Sequence, residues 1–581
     1  MSFRKGVAPL ILLLVAYATT SSSVLAQAPI EPERLPANTM FYLLWRGAPS
    51  PSVRQGNALL SLWDDPELVL MRSAMIQNVV AESARDKSKA PTQEQIEQYA
   101  ALLENAFLVG YYREPAEHRH PGRERKAAGK SKWNGFFLVY DRTGKENVLQ
   151  SLLPRAQASA KQPSKITPVV LAGTAAVKVE GANDTSYWSE TGKFAVGTGE
   201  PLVFEEIVGR LNGRPAASGG ALGQAPAYKE ARAQFASEDL LEFFLEIPRL
   251  EELLPQNVTS EPSTTRMLQA FRFDAVHSLA GSVSLDGTRT RLAGALLGDT
   301  STGTIFDLWH EAGNTQTSAA FVPTQAISYS YSQLDLAGLY QWIGRATQSF
   351  SPSGPQGMDL VGSMVQQRIG MPLPDALALL TGEFASIQTS PALDTKGQVF
   401  VIGIRKREET LRLIRMLLSD RIASTRSEGD VVFFKLSTHG GESGAGTVQW
   451  GSYQMAVTND AVILTSRSDT LRTLLAERAH PGATSAFMLQ PRYQQARTHF
   501  PATISGMSFF DFQRVDWNAA KTAWLLEARK QVGKPGTSKN DRTLEQWLEQ
   551  FHPEVISRHL HTSFGASWKD SSGLKFAGWI E

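Results

Sequence analysis

The sequence predicts an α+β protein of two similar domains in tandem, each a mainly antiparallel or mixed sheet with packed helices. Three observations predict it. At 581 residues the chain exceeds the roughly 250–300 residues at which one hydrophobic core stops growing. Short residue patterns recur in the same order in both halves. Hairpin signals alternate with stretches of helical periodicity, and hairpins require antiparallel pairing.

The elements follow in order. Arg4 and Lys5, the uncharged run Val7–Ala18 and the small residues ending in Val24-Leu25-Ala26 have the order of a secretory signal peptide over residues 1–26. The apolar run is shorter than the about 20 residues of a membrane-spanning helix. Cleavage after Ala26 is therefore expected, with retention as an anchor the alternative. No later segment is long and apolar enough to span, so no transmembrane span is expected after signal removal. Copy one is expected over 35–297. It opens with Leu35-Pro36-Ala37-Asn38-Thr39 and the strand Met40–Trp45. Leu59–Val80 carries Leu62, Leu68, Met71, Met75, Ile76 and Val79 at helical spacing. Phe136–Val139 reads as a strand, Tyr187–Thr198 as a hairpin turning at Thr191-Gly192, and Pro201–Leu211 as a helix. Gly213–Ala227 is a Gly/Ala/Pro-rich surface connection. A helix with Tyr228, Ala231, Arg232 and Phe235 follows. A hairpin around Asp286-Gly287 closes the copy.

Residues 298–320 read as a linker, and copy two is expected over 321–581. Val322-Pro323-Thr324 answers Leu35-Pro36-Ala37, and Leu379–Phe384 answers Leu102–Phe107. Val399–Ile402 answers Phe136–Val139, and Met455–Ser466 answers Tyr187–Thr198. Tyr493, Ala496, Arg497 and Phe500 repeat the Tyr228 block, while His561, Gly565, Asp570, Ala577 and Gly578 repeat His277, Gly281, Asp286, Ala293 and Gly294. Collinear self-similarity of this kind is the mark of a duplicated unit. The opening Leu35–Thr39, the Gly382-Glu383-Phe384 element and the hairpin-then-helix blocks together resemble a family of exported bacterial proteins built on a domain of unknown function. Asn105-Ala106 stands in copy one where the Gly-Glu pair would be. The resemblance implies export and architecture, and brings no catalytic residues with it.

Composition excludes several function classes. With 58 Lys+Arg against 57 Asp+Glu, a nucleic-acid-coating protein is not expected, because such domains are strongly basic. No Cys is present, which removes disulfides, thiolate zinc sites, iron–sulfur clusters and Cys nucleophiles together. No cofactor is expected, no catalytic residue is assigned, and the protein leans away from being an enzyme. Gly197-Thr198-Gly199 lacks the third glycine of a dinucleotide loop, since Leu202 stands there. Ser572-Gly573-Leu574-Lys575 has the spacing of a serine–lysine pair but reads as a hairpin turn rather than the helix that pair needs. Trp517 and Trp524 share a helical face with Ala520, which reads as core.

Two weak sites remain. His559 and His561 would share one face of a strand, with His552 and Glu554 nearby, a set that could bind a transition metal. Arg119, Arg123, Arg125, Lys126, Lys130 and Lys132 form a basic loop that could touch an anionic polymer or another envelope component. No aromatic residue interleaves with these charges before Trp133, which disfavours single-stranded nucleic acid. The function expected is an exported envelope or periplasmic protein, most simply a non-enzymatic binding or structural module. A periplasmic metal-dependent or other hydrolase is the alternative.

Overall fold

Strands with one apolar face and hairpin turns between them build a sheet in each half of the chain. The computed structural model describes residues 30–72, 101–112, 135–145, 148–149, 165–181, 185–214, 220–235, 239–249, 272, 275–301, 304–309, 316–350, 362–364, 366–436, 454–478, 485–532 and 549–581. They divide into two units: unit one is the described part of 1–253 with His277–Leu297, and unit two that of 254–276 with Gly298–Glu581. The signal segment lies outside the described residues.

Unit one contributes β1 (Thr39–Trp45), β2 (Phe107–Tyr112), β3 (Phe136–Asp141), β4 (Lys165–Leu171), β5 (Thr174–Glu180), β6 (Thr185–Thr191), β7 (Phe194–Thr198), β8 (Leu241–Glu246), β9 (Val276–Asp286) and β10 (Arg289–Gly298). Their order across the sheet is β4-β5-β6-β7-β3-β2-β1-β8-β9-β10. The resolved registers are all antiparallel. Helices α1 (Pro51–Gly56), α2 (Ala58–Trp63), α3 (Pro201–Leu211) and α4 (Pro226–Arg232) accompany it. Both α3 and α4 begin with proline, whose missing N–H costs nothing in the first turn. Val203, Phe204, Ile207 and Val208 of α3 and Tyr228 and Ala231 of α4 bury against Tyr42, Leu44, Val139, Val196 and Phe244 on one face. Trp45, Phe107, Tyr140 and Ala195 form a smaller cluster with Leu103 and Val148.

The helix expected from Leu59 to Val80 is interrupted. α2 ends at Trp63, and a new helical stretch covers 66–72. The cause is Asp65-Pro66, because a residue before proline avoids helical backbone. Asp65 instead caps the new start, accepting from the Glu67 N–H at 3.0 Å. Asn57 caps α2 by accepting from the Leu60 N–H at 3.1 Å and also accepts from the Thr290 hydroxyl at 2.9 Å, so one fully buried amide ties the helix to β10. Asn57→Ala is expected to cost about 1–2 kcal/mol of unit-one stability, measurable as a lower urea midpoint at unchanged slope.

Unit two contributes β11 (Ser328–Gln333), β12 (Leu380–Gln388), β13 (Gln398–Ile404), β14 (Ile422–Glu428), β15 (Val431–Leu436), β16 (Gln454–Val457), β17 (Ala461–Thr465), β18 (Gly506–Asp511), β19 (Thr562–Asp570) and β20 (Gly573–Ile580). Their order is β14-β15-β16-β17-β13-β12-β11-β18-β19-β20. Place for place, this is the strand order of unit one. The helices are α5 (Leu336–Phe350), α6 (Leu373–Ala378), α7 (Arg407–Leu417), α8 (Ser468–Ala476), α9 (Pro491–Arg497), α10 (Trp517–Val532) and α11 (Glu554–His559). The fold is thus α+β, with antiparallel sheets.

Pairing registers test the residue matches directly. α4 and α9 both start at proline and both bury the matched tyrosine and alanine, Tyr228 with Ala231 and Tyr493 with Ala496. Gly281 on β9 faces Phe243, and Gly565 on β19 faces Ser508, in equivalent registers. Two strand matches are one residue out. Phe137, not Phe136, takes the place of Val399, and Tyr187 takes that of Gln454, not Met455. Adjacent positions in these strands are both apolar, Phe136 with Phe137 and Tyr187 with Trp188, so the pattern does not report the slip that would turn every side chain over.

Segment 298–320 is not an open linker where it is described. Phe306, Leu308, Ala319 and Phe321 are buried, and Phe321 joins the main core of unit two with Tyr329, Phe487 and Tyr493. Apolar side chains at Ile305–Leu308 and Ser318–Phe321 draw two 3-10 turns inward. Trp517 and Ala520 are buried together as expected, with the Trp517 and Trp524 rings 6.3 Å apart.

Candidate functional site

The structure corrects the strand placement expected of the histidines. His559 ends α11 and His561 precedes β19, so the two do not alternate along one strand. His552 and His561 are exposed. Pro553 and Glu554 start a helix where the sequence suggested a strand flank, which separates the imidazoles by a helix end. Among the described residues no group of His, Asp and Glu is arranged to hold a metal ion. The basic loop residues Arg119, Arg123, Arg125, Lys126, Lys130 and Lys132 lie outside the described residues. Ser572 is occupied in the β19–β20 turn, its hydroxyl donating to Asp570 at 2.7 Å, while Lys575 pairs with the same carboxylate.

The sequence did not single out a charged interior in unit one. Strand β8 points Glu242 inward beside Tyr42 of β1, and Tyr42 donates a hydrogen bond to Glu242 Oε1. Arg46, just past β1, brings Nη2 to 3.6 Å from Glu242 Oε2. That is an ion-pair distance but not a hydrogen bond, and Oε2 completes none among the described residues. Asp239 precedes β8 on the same side. Among the described residues neither of its carboxylate oxygens completes a hydrogen bond of full geometry, although the Ser282 hydroxyl faces it from β9 and favours the ion. Above them α4 supplies Tyr228, with its ring 6.1 Å from Tyr42 and 5.4 Å from Phe244, and Arg232, which pairs with Glu33 at 3.0 Å.

Burial is nearly complete: Glu242 is 0% exposed and Asp239 1%. Fewer atoms surround Asp239, so it lies shallower than Glu242. Loss of hydration raises the pKa of both carboxyls above the ordinary range. Tyr42 and the arginines Arg232 and Arg46 oppose the rise at Glu242, and Ser282, Arg232, Arg291 and Arg46 oppose it at Asp239. Burial also pushes the Tyr42 and Tyr228 phenols up, reinforced by Glu242 at Tyr42 and by Glu33 at Tyr228. Chemically the set can hold a proton, or hold a donor against unpaired carboxylate oxygens.

Unit two fills the same frame with apolar side chains. Tyr42 pairs with Phe244 as Tyr329 pairs with Phe509, and Gly281 and Gly565 fix the neighbouring register. Glu242 therefore corresponds to Met507 and Asp239 to Ile504, which are 4% and 1% exposed. Arg46 corresponds to Gln333. Tyr493, the partner of Tyr228, donates to Met507 Sδ at 3.1 Å. Arg497, the partner of Arg232, donates to the carbonyls of Phe500, Pro501 and Ala502.

Unit two instead carries a buried carboxylate at Glu383 that is fully used. It accepts from the Thr317 and Ser318 N–H groups at 2.8 Å each and from the Ser318 hydroxyl, which also meets the Tyr329 hydroxyl at 2.7 Å. Gly382 makes this possible. Its φ of +87° places it in a bulge of β12, where an added Cβ would lie 1.9 Å from the Leu334 carbonyl oxygen. The Gly-Glu pair is thus a structural staple.

Comparison with protein families finds no match, and comparison with curated proteins finds none. Among solved structures, crystal form I of TP0453 aligns at 11% identity and a TM-score of 0.21, covering 44% of this chain and 76% of that one. Crystal form III of TP0453 aligns at 9% identity and a TM-score of 0.24, covering 50% and 91%.

Proposed function

We propose that this chain is an exported envelope protein, periplasmic or secreted, that arose by tandem duplication and acts as a non-enzymatic binding or structural module. The observation that carries the reading is one strand order used twice with two different buried fillings. Duplication supplies a frame that folds independently of its polar contents, and divergence then specialises one copy. One backbone can host different sites in its two copies, because function lives in the side chains a fold carries. The signal-like residues 1–26 support export. Among the described residues no helix is long and apolar enough to cross a membrane. The basic residues Arg119–Lys132 offer an anionic envelope polymer a point of attachment.

The test is fractionation of cells expressing the C-terminally tagged chain, followed by N-terminal sequencing. Mature protein beginning at Gln27, in periplasm or medium, is the expected result. Full-length chain held in the membrane or cytoplasm would reject export by cleavage. Metal analysis of the same preparation separates the hydrolase alternative. Stoichiometric metal that disappears in His561→Ala would replace the binding-module reading with a metalloenzyme.

A further inference from the structure

We propose that Asp239 and Glu242 form a proton-binding site that makes unit one, and not unit two, the pH-responsive half of the protein. Three observations on the molecule support it independently of where the protein resides. The first is burial with little satisfaction. Two buried carboxyl groups have three oxygen atoms that complete no hydrogen bond among the described residues, with only the Ser282 hydroxyl facing Asp239, an arrangement that favours the neutral acid over the ion. The second is the substitution between units. Ile504 and Met507 show that this frame closes with apolar side chains, so the fold itself does not require the two acids. The third is incomplete compensation. Arg46 stands 3.6 Å from Glu242, and Arg232 is already paired with Glu33, so neither guanidinium makes the bidentate contact that would hold a buried carboxylate ionised.

The groups facing the pair come from every element around it. They are Tyr42 and Arg46 from β1 and its end, and Tyr228 and Arg232 from α4. Glu33 comes from the Pro32–Arg34 turn, Ser282 from β9 and Arg291 from β10. His277 on β9 lies 3.8 Å from Glu230 of α4, with its side chain half exposed. It requires its own control, because it is a second ionisable contact between β9 and α4.

The sign follows from the direction of the shifts. Both folded-state pKa values lie above the unfolded ones, so the native state binds more protons than the unfolded state. Their contribution to stability is complete below the unfolded values, about 4, and is lost as pH rises through the folded values. Unit two holds a group of opposite sign. Burial alone would raise Asp570, but Lys575 and Ser572 outweigh it and leave the carboxyl lowered.

The experiment is urea-dependent hydrogen exchange on the whole chain, read separately on peptides from β1 and β8 and from β11 and β18, between pH about 5 and 8. The unit-one midpoint is expected to fall across that range while the unit-two midpoint does not. Asp239→Ile with Glu242→Met, which installs the residues of unit two, is expected to flatten the unit-one response. Asp239→Asn with Glu242→Gln should do the same and guards against misfolding of the apolar pair. His277→Gln should leave the response intact. Infrared difference spectra supply a direct readout. A protonated-carboxyl C=O band is expected to persist to higher pH than the ordinary carboxyl range, and it should be lost in the Asn/Gln variant. A unit-one midpoint that is flat or rises with pH, a response surviving either double variant, or the absence of that band would overturn the proposal.

Discussion

Glu383→Ala is expected to destabilise unit two by about 3–5 kcal/mol, because each buried donor left without its partner costs about 1–3 kcal/mol. The loss has a specific anatomy. Two backbone N–H groups, those of Thr317 and Ser318, each donate to the carboxylate at 2.8 Å, and the Ser318 side chain adds a third bond. Alanine leaves the Thr317 and Ser318 N–H groups without their acceptor, while the Ser318 hydroxyl keeps only Tyr329, and Ser318 is fully buried. The 3-10 turn Ser318–Phe321 would then lose its anchor, and with it the placement of Phe321 in the core beside Tyr329. Glu383→Gln keeps one carbonyl oxygen but turns an NH2 group toward a donor, so it should cost roughly half as much. Equilibrium urea unfolding of the whole chain, followed on unit-two peptides by hydrogen exchange, measures both. A loss below about 1 kcal/mol for the alanine variant would mean that the staple is not what holds this turn.

What the sequence could reveal depended on how strongly burial fixes each residue. The Tyr228 and Tyr493 blocks were legible because a proline-started helix with an alanine against the sheet leaves few alternatives at those positions. The Gly281 and Gly565 registers were legible for the same reason. The strand matches at Phe137 and Tyr187 were not, since an apolar residue on either face satisfies the pattern. The strand placement of the histidine pair failed because Pro553-Glu554 start a helix that the short segment did not announce. Asp239 and Glu242 were missed for a different reason. In Leu241-Glu242-Phe243-Phe244-Leu245-Glu246 the acids alternate as surface residues of a strand do, and only the sheet order shows that this face lies under α4. A signal was nonetheless present. Carrying the Tyr228 match forward without a gap sets Asp239 against Ile504 and Glu242 against Met507, and an acid aligned with an aliphatic residue at two such positions marks a buried charge.

That same alignment makes the reverse exchange informative. Met507→Glu is expected to cost unit two about 3–5 kcal/mol at pH about 8 and clearly less at pH about 4.5, because a carboxyl in this place folds readily only when neutral. Its surroundings lack what unit one provides. Gln333 stands where Arg46 would be, Ile504 stands where Asp239 would be, and Arg497 is committed to three backbone carbonyls. Tyr493 is a nearby donor, since its hydroxyl already points at Met507 Sδ. Burial pushes that phenol up to about 12, with Arg497 opposing, so it donates rather than ionises over the whole range. The introduced acid therefore has a raised folded pKa, and the native state gains protons relative to the unfolded one. The penalty grows as pH climbs through that value. Met507→Gln separates charge from polarity, because it carries the cost of a buried amide with no pH dependence. Urea midpoints of the two variants at several pH values decide the matter. Parallel pH profiles would show that this position does not discriminate a neutral acid from its ion, and the comparison between the two units would lose its physical basis.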